Sequence, residues 1–182
     1  MTDTALAACL ALVKSEEGCV LHPYQDVAGN WTIGYGNTYM PDGTHVTAHT
    51  PPVTQVHADA MLLATITPML TKVQGWVQRD LTPAQWASLV SFCYNLGAGV
   101  LFHSSLLTAV KAGYMSMAAM MFAPYVHSGG RVIPGLVARR AREAAAFGKV
   151  AGAFVQQTVS TAPVAAPQAE ADALMNQYNP GA

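Results

Sequence analysis

The sequence predicts an α+β fold, with a small N-terminal β-hairpin lobe and a larger helical lobe after it. Three patterns predict it. Leu6, Leu10, Val13 and Glu17 are spaced four, three and four, which at about 100° per residue puts them on one helical stripe. Trp31, Ile33 and Tyr35 alternate with Thr32, Gly34 and Gly36, the period of a strand. Thr82-Pro83-Ala84-Gln85 opens a long apolar stretch with a capping-box signature.

The elements follow in order. The first helix covers 4–17, and Gly18 stops it. Glu17 shares its buried stripe, while Glu16 lies off the stripe and should face water. Short strands with turns occupy 20–38, with Gly29-Asn30 as a tight turn. Pro41, Gly43, Pro51 and Pro52 make 39–54 a loop or irregular hairpin. A helix over 55–74 carries Met61, Leu62, Ile66 and Leu70, and Pro68 should bend or break it. Thr82 caps the next helix, Pro83 suits its first position, and Trp86, Leu89, Val90, Cys93 and Leu96 mark it as the central core helix. Further helices are expected over 104–112, 114–123 and 136–151. Residues 158–169 are rich in Ala, Pro, Thr and Val without period, so they read as a linker or loose tail, with a short helix over 169–178. The expected division is a domain over 1–157 and a tail over 158–182.

Composition removes several classes. Hydrophobic residues make up 52% and charged residues 10%, apolar for a soluble protein but not a membrane composition. The longest apolar runs, Ala5–Val13 and Met117–Ala123, are too short to span a bilayer. The first lacks the basic start and cleavage site of a signal peptide. The net charge is −1 and no long Lys/Arg stripe exists, so a nucleic-acid partner is not expected. Three cysteines, Cys9, Cys19 and Cys93, show no metal-ligand spacing. Cys9 and Cys93 fall on apolar helix faces and should act as small hydrophobes. His45 and His49 are four apart, with His57 beyond, but no Cys or carboxylate completes a ligand set. They read as solvated loop histidines, and no metal or cofactor is expected. Met115, Met117, Met120, Met121 and Phe122 read as core filling, with a membrane-active face as the weaker alternative. Arg139, Arg140 and Arg142, followed by Glu143, fit a solvated helix face as well as a functional cluster.

Chemistry concentrates in the spacing E-x8-D-x5-T formed by Glu17, Asp26 and Thr32. Glycoside hydrolysis needs a protonated acid at the leaving oxygen and a second carboxylate across the sugar. Glu17 suits the acid, because desolvation and the helix C-terminus both favour its protonated form. The competing reading is a solvated Glu17 paired with Lys14, three residues back. Asp26 lies in a polar, turn-rich segment and should stay ionised; alone it reads as a turn-former. Thr32 alone reads as a plain strand residue.

Residues 16–38 resemble the active-site segment of phage-type lysozymes, glycoside hydrolase family 24, which includes T-even phage lysozyme and many endolysins. The resemblance continues through Leu81-Thr82-Pro83-Ala84-Gln85, Leu89-Val90-Ser91-Phe92, Tyr94-Asn95-Leu96-Gly97 and Ser104-Ser105-Leu106-Leu107. It ends with Gly129-Gly130 and Gly135-Leu136-Val137-x-Arg139-Arg140-x-x-Glu143, so it covers roughly residues 5–150. It implies a lysozyme-like fold with the active site in the cleft between the lobes. It further implies Glu17 as general acid, and Asp26, assisted by Thr32, stabilising positive charge and placing a water. Tyr24, Asn37, Asn95, Arg139 and Arg140 become supporting residues, with an arginine of the 139–140 pair near Glu17.

The implied activity is an inverting muramidase that cuts the β-1,4 bond between N-acetylmuramic acid and N-acetylglucosamine in peptidoglycan. The implied setting is a monomeric phage or prophage endolysin without a stable membrane anchor. It would accumulate in the host cytoplasm until a holin releases it to the wall. A lytic transglycosylase and a catalytically weak wall-binding module are the alternatives. Asn37 departs from the family's histidine, and Asn can donate and accept without charging. The near-neutral charge departs from the basic character of many phage lysozymes, so electrostatic steering should be weak.

Overall fold

The computed structural model describes residues 2–26 and 28–149; the expected tail over 158–182 and the short helix expected over 169–178 lie outside the described residues. Helix α1 (Thr2–Glu17) is followed by an antiparallel hairpin, β1 (Val20–Gln25) and β2 (Trp31–Gly34). Helices α2 (Gln55–Val77) and α3 (Pro83–Leu96) come next, then α4 (Ala98–Phe102), α5 (Ser105–Ala112) and α6 (Met115–Met120). A second hairpin, β3 (His127–Ser128) with β4 (Arg131–Val132), precedes α7 (Pro134–Gly148). The expected α+β architecture is therefore present, with a helical body and a small hairpin near the N-terminus. Among the described residues no helix is long and apolar enough to cross a membrane.

Helix α3 is the centre, packed against α1, α2, α4 and α7. Its capping box forms as expected: Thr82 Oγ1 accepts from Gln85 N–H and the Gln85 side chain accepts from Thr82 N–H. Leu89, Val90 and Phe92 are completely buried. Helix α1 buries Ala5, Cys9 and Val13 against this core, and Leu6 and Leu10 flank them half-buried. Burial pushes the Cys9 thiol up to about 12 and the Cys93 thiol up to about 11, so both are inert hydrophobes.

Several expectations change. Helix α2 runs through Pro68 to Val77 instead of breaking; Pro68 lies on the exposed side, where water can satisfy the carbonyl it leaves unpaired. Helix α4 was not foreseen, and α7 ends at Gly148. The methionine segment divides: Phe122 is fully buried between Phe92 and Phe147, whereas Met120 is 75% exposed. His45, His49 and His57 are exposed, the first stacked on Tyr39.

The β1–β2 hairpin is irregular. Tyr24 pairs with Thr32 and Gln25 with Trp31, but the register slips between Val20 and Tyr24. Pro23 lies in the slipped stretch, and proline cannot donate to a ladder. Alternation alone would leave one face of β2 open. Instead both Thr32 and Ile33 are buried, because α2 also packs against this strand.

Candidate active site

Glu17 is the last residue of α1. The chain leaves the helix at Gly18, whose φ of +66° is the left-handed conformation that ends helices and suits glycine. Glu17 Oε1 accepts a hydrogen bond from Arg139 Nη1 at 2.7 Å. The side chain is 21% exposed, so the carboxyl is neither solvated nor sealed. The alternative pairing with Lys14 does not form; Lys14 reaches Asp59 at 2.8 Å instead.

Glu16 does not face water as its helix position suggested. Arg142 donates to both of its carboxylate oxygens, at 2.7 and 2.6 Å, and leaves the Glu16 side chain only 2% exposed. The Arg142 hydrogen bond holds the Glu16 carboxyl below its ordinary range. Two adjacent glutamates at the end of α1 are thus gripped by two arginines on consecutive turns of α7.

The solvated-face reading of these arginines holds for Arg142 alone, which is 57% exposed. Arg139 and Arg140 are buried, with Glu143 completely so. Arg139 Nε donates to Glu143 Oε1 at 3.2 Å, and its Nη2 donates to the carbonyl and hydroxyl oxygens of Ser91 at 3.1 and 3.2 Å. Ser91 Oγ donates to Glu143 Oε1 at 2.7 Å. Arg140 Nη2 donates to the same oxygen at 2.9 Å, and its guanidinium lies over Phe92. Arg140 Nε comes within 2.8 Å of Glu143 Oε2 as an ion contact without hydrogen-bond alignment. Burial pushes the Glu143 carboxyl up, opposed by both arginines and the Ser91 hydroxyl.

Arg140 therefore does not touch Glu17; it balances Glu143. Ser91 and Glu143 were not singled out as site residues, although both carried signals. A hydroxyl stands among the apolar residues of the core helix, and Glu143 follows Arg139 at the i,i+4 spacing of an ion pair.

The hairpin carries the second group. Asp26 Oδ1 accepts from the backbone N–H of Ala28 at 2.9 Å and of Asn30 at 2.8 Å, and Oδ2 accepts from Asn30 Nδ2 at 3.2 Å. These bonds, those of Asn30 first, hold its carboxyl below the usual range, so it is ionised near neutral pH. The turn-former reading of Asp26 is thus realised in full and is compatible with a charge-bearing role. Thr32 is buried opposite Tyr24, and its hydroxyl donates to the Tyr24 carbonyl at 3.3 Å. Among the described residues no hydrogen bond links Glu17 to Asp26 or Thr32.

The other supporting residues divide. Asn37 pairs with Ile33 through its backbone in both directions, but its buried Oδ1 has no partner among the described residues. Asn95 Oδ1 is buried and unpartnered in the same way. Its neighbour Tyr94 makes the link between lobes: Tyr94 Oη donates to the carbonyl of Tyr35, on the loop after β2, at 2.8 Å. Burial pushes the Tyr94 phenol up, and the nearby Glu17 charge adds to the effect.

A helical body, a small hairpin bearing an ionised carboxylate, and a half-buried glutamate at a helix end are the parts this chain brings together. The chain belongs to the phage lysozyme family, whose model matches residues 14–143. It is 37% identical over 142 residues to the endolysin of Bacillus phage PZA, covering 77% of this chain but only 53% of that protein. The chain thus spans about half the length of that relative. Among solved structures it is similar to the muramidase domain of SpmX from Asticaccaulis excentricus, with 31% identity, a TM-score of 0.67, and coverage of 79% of this chain and 96% of that one. It is also similar to the endolysin from Escherichia coli O157:H7 phage FAHEc1, with 28% identity, a TM-score of 0.71, and coverage of 77% and 90%.

Proposed function

We propose that the chain is a peptidoglycan muramidase that hydrolyses the β-1,4 bond between N-acetylmuramic acid and N-acetylglucosamine, serving as a phage or prophage endolysin. The observation that carries this reading is the pair of unlike carboxyls. Glu17 is half-buried with only Oε1 engaged, while Asp26 is held ionised on the hairpin. Glycosidases separate acid and base roles by such differences in environment.

Glu17 gives its proton to the glycosidic oxygen as the bond to the anomeric carbon breaks. Asp26 stabilises the oxocarbenium-like carbon and, with Thr32, orients a water for attack from the opposite face. The water's proton passes to Asp26, and the anomeric configuration inverts. No cofactor enters this scheme. The enzyme is expected to work as a monomer, accumulating in the host cytoplasm until a holin gives it access to the wall. Fractionation of expressing cells with and without a holin tests that placement.

The chemistry is tested by mass spectrometry of soluble products from purified peptidoglycan, comparing wild type, Glu17→Gln and Asp26→Asn. Reducing-end muropeptides ending in N-acetylmuramic acid are expected from wild type. Loss of an acid or its partner should lower the yield by about 10²–10⁴-fold. Anhydro ends would make the protein a transglycosylase. Protein retained on the wall without products would make it a binding module.

A further inference from the structure

An acid that pairs with an arginine presents a physical conflict. A guanidinium that forks onto both carboxylate oxygens stabilises the ionised form and leaves no oxygen for a proton. Arg139 does not fork onto Glu17. Only Nη1 reaches it, at Oε1, and Oε2 takes no hydrogen bond among the described residues. Apart from the second Nη1 hydrogen, the rest of the guanidinium is already engaged. Nε serves Glu143, and the two hydrogens of Nη2 serve the Ser91 carbonyl and hydroxyl. Ser91 Oγ cannot turn away easily, because its own proton goes to Glu143 Oε1 at 2.7 Å.

We propose that Ser91 is a positioning residue: its hydroxyl, oriented by Glu143, restricts Arg139 to a single-point contact with Glu17 Oε1 and leaves Oε2 to carry the catalytic proton. This rests on Glu17 being the general acid and extends that reading to the choice of oxygen. A neutral carboxyl can accept from Arg139 through Oε1 while Oε2–H faces the leaving oxygen. After transfer, the new carboxylate finds its counter-ion already in contact. One arginine thereby orients the acid in both protonation states.

The groups facing Glu17 are Arg139 from α7 and the Tyr94 phenol from α3. Those facing Glu143 are Arg139, Arg140 and Arg142 on its own helix and Ser91 from α3. The neighbouring Glu16 is tied to Arg142. Altering Ser91 removes no ionisable group, although it takes from Glu143 one of the bonds that oppose the upward push of burial.

The test is the pH dependence of kcat/KM on purified peptidoglycan for wild type and Ser91→Ala. Without the hydroxyl, one Nη2 hydrogen is released to fork onto Oε2. The basic limb should then move to lower pH by about half a unit or more, with activity at the acidic end largely retained. Ser91→Cys keeps the volume but lacks a strong donor and acceptor, and should shift in the same direction. It serves as the readout if the alanine variant does not fold. Ser91→Thr keeps the hydroxyl and should restore the wild-type limb. A basic limb that superimposes on wild type in the alanine and cysteine variants overturns the proposal, as does a shift that threonine fails to reverse. Glu17→Gln separates the two readings. If it retains full activity, the general-acid assignment falls; if it is inactive while the Ser91 variants are unshifted, only the positioning role falls.

Discussion

Tyr94 Oη donates to the Tyr35 carbonyl across 59 residues, and this bond joins the central helix to the segment that follows the hairpin. The half-buried phenol also feels the charge of Glu17. Tyr94→Phe keeps the ring and removes the bond. Stability in urea should fall by about 1 kcal/mol, more if the Tyr35 carbonyl stays dry. An unchanged midpoint would mean that water replaces the phenol.

Asp59 provides an acid-dependent element. The Lys14 ammonium first, then Tyr35 and Gln55, hold its carboxyl down at about 2. A carboxyl depressed on folding contributes stability that is present above its ordinary value of 3.8 and is lost as pH falls toward 2. Urea midpoints of wild type should therefore decline over that interval, and Asp59→Asn should decline less. Parallel curves would remove Asp59 from the acid response.

Glu143→Gln tests the buried ion cluster. Glu143 is the shared counter-ion of Arg139 and Arg140, and Arg140 is only 1% exposed. Breaking a buried pair from one side costs about 3–5 kcal/mol, because a charge remains unbalanced. A loss under 1 kcal/mol in denaturant melts would show that water reaches Arg140.

The methionine-rich segment is tested by contrast. Phe122→Ala removes a ring packed edge-on to Phe92 at 5.6 Å and against Phe147 at 5.7 Å, and should cost about 3–5 kcal/mol. Met120→Gln, at a 75% exposed position, should stay within about 0.5 kcal/mol of wild type. Calorimetry of both variants checks the pair.

The fold was legible where physics is local. The helix ending at Glu17, the capping box at Thr82–Gln85 and the turn at Asp26 are set by residues a few positions apart. The misplacement of Glu16 has the opposite cause. Periodicity within α1 cannot register Arg142, which arrives from 126 residues away and covers it. The burial of Arg139 and Arg140 is hidden for the same reason, since a charge run looks alike on a wet face and a dry one. Hairpin β3–β4 escaped because two-residue, exposed strands have no alternation to read. Gly129 and Gly130, at φ +56° and +74°, were its one trace.

The grip of α7 on the end of α1 also fixes an order of assembly during synthesis. Glu16 and Glu17 leave the ribosome some 120 residues ahead of Arg139 and Arg142. A nascent or truncated chain that stops before α7 carries the Glu17–Asp26–Thr32 sequence without the arginines that bind Glu16 and Glu17. The end of α1 is thus completed only once α7 has been made.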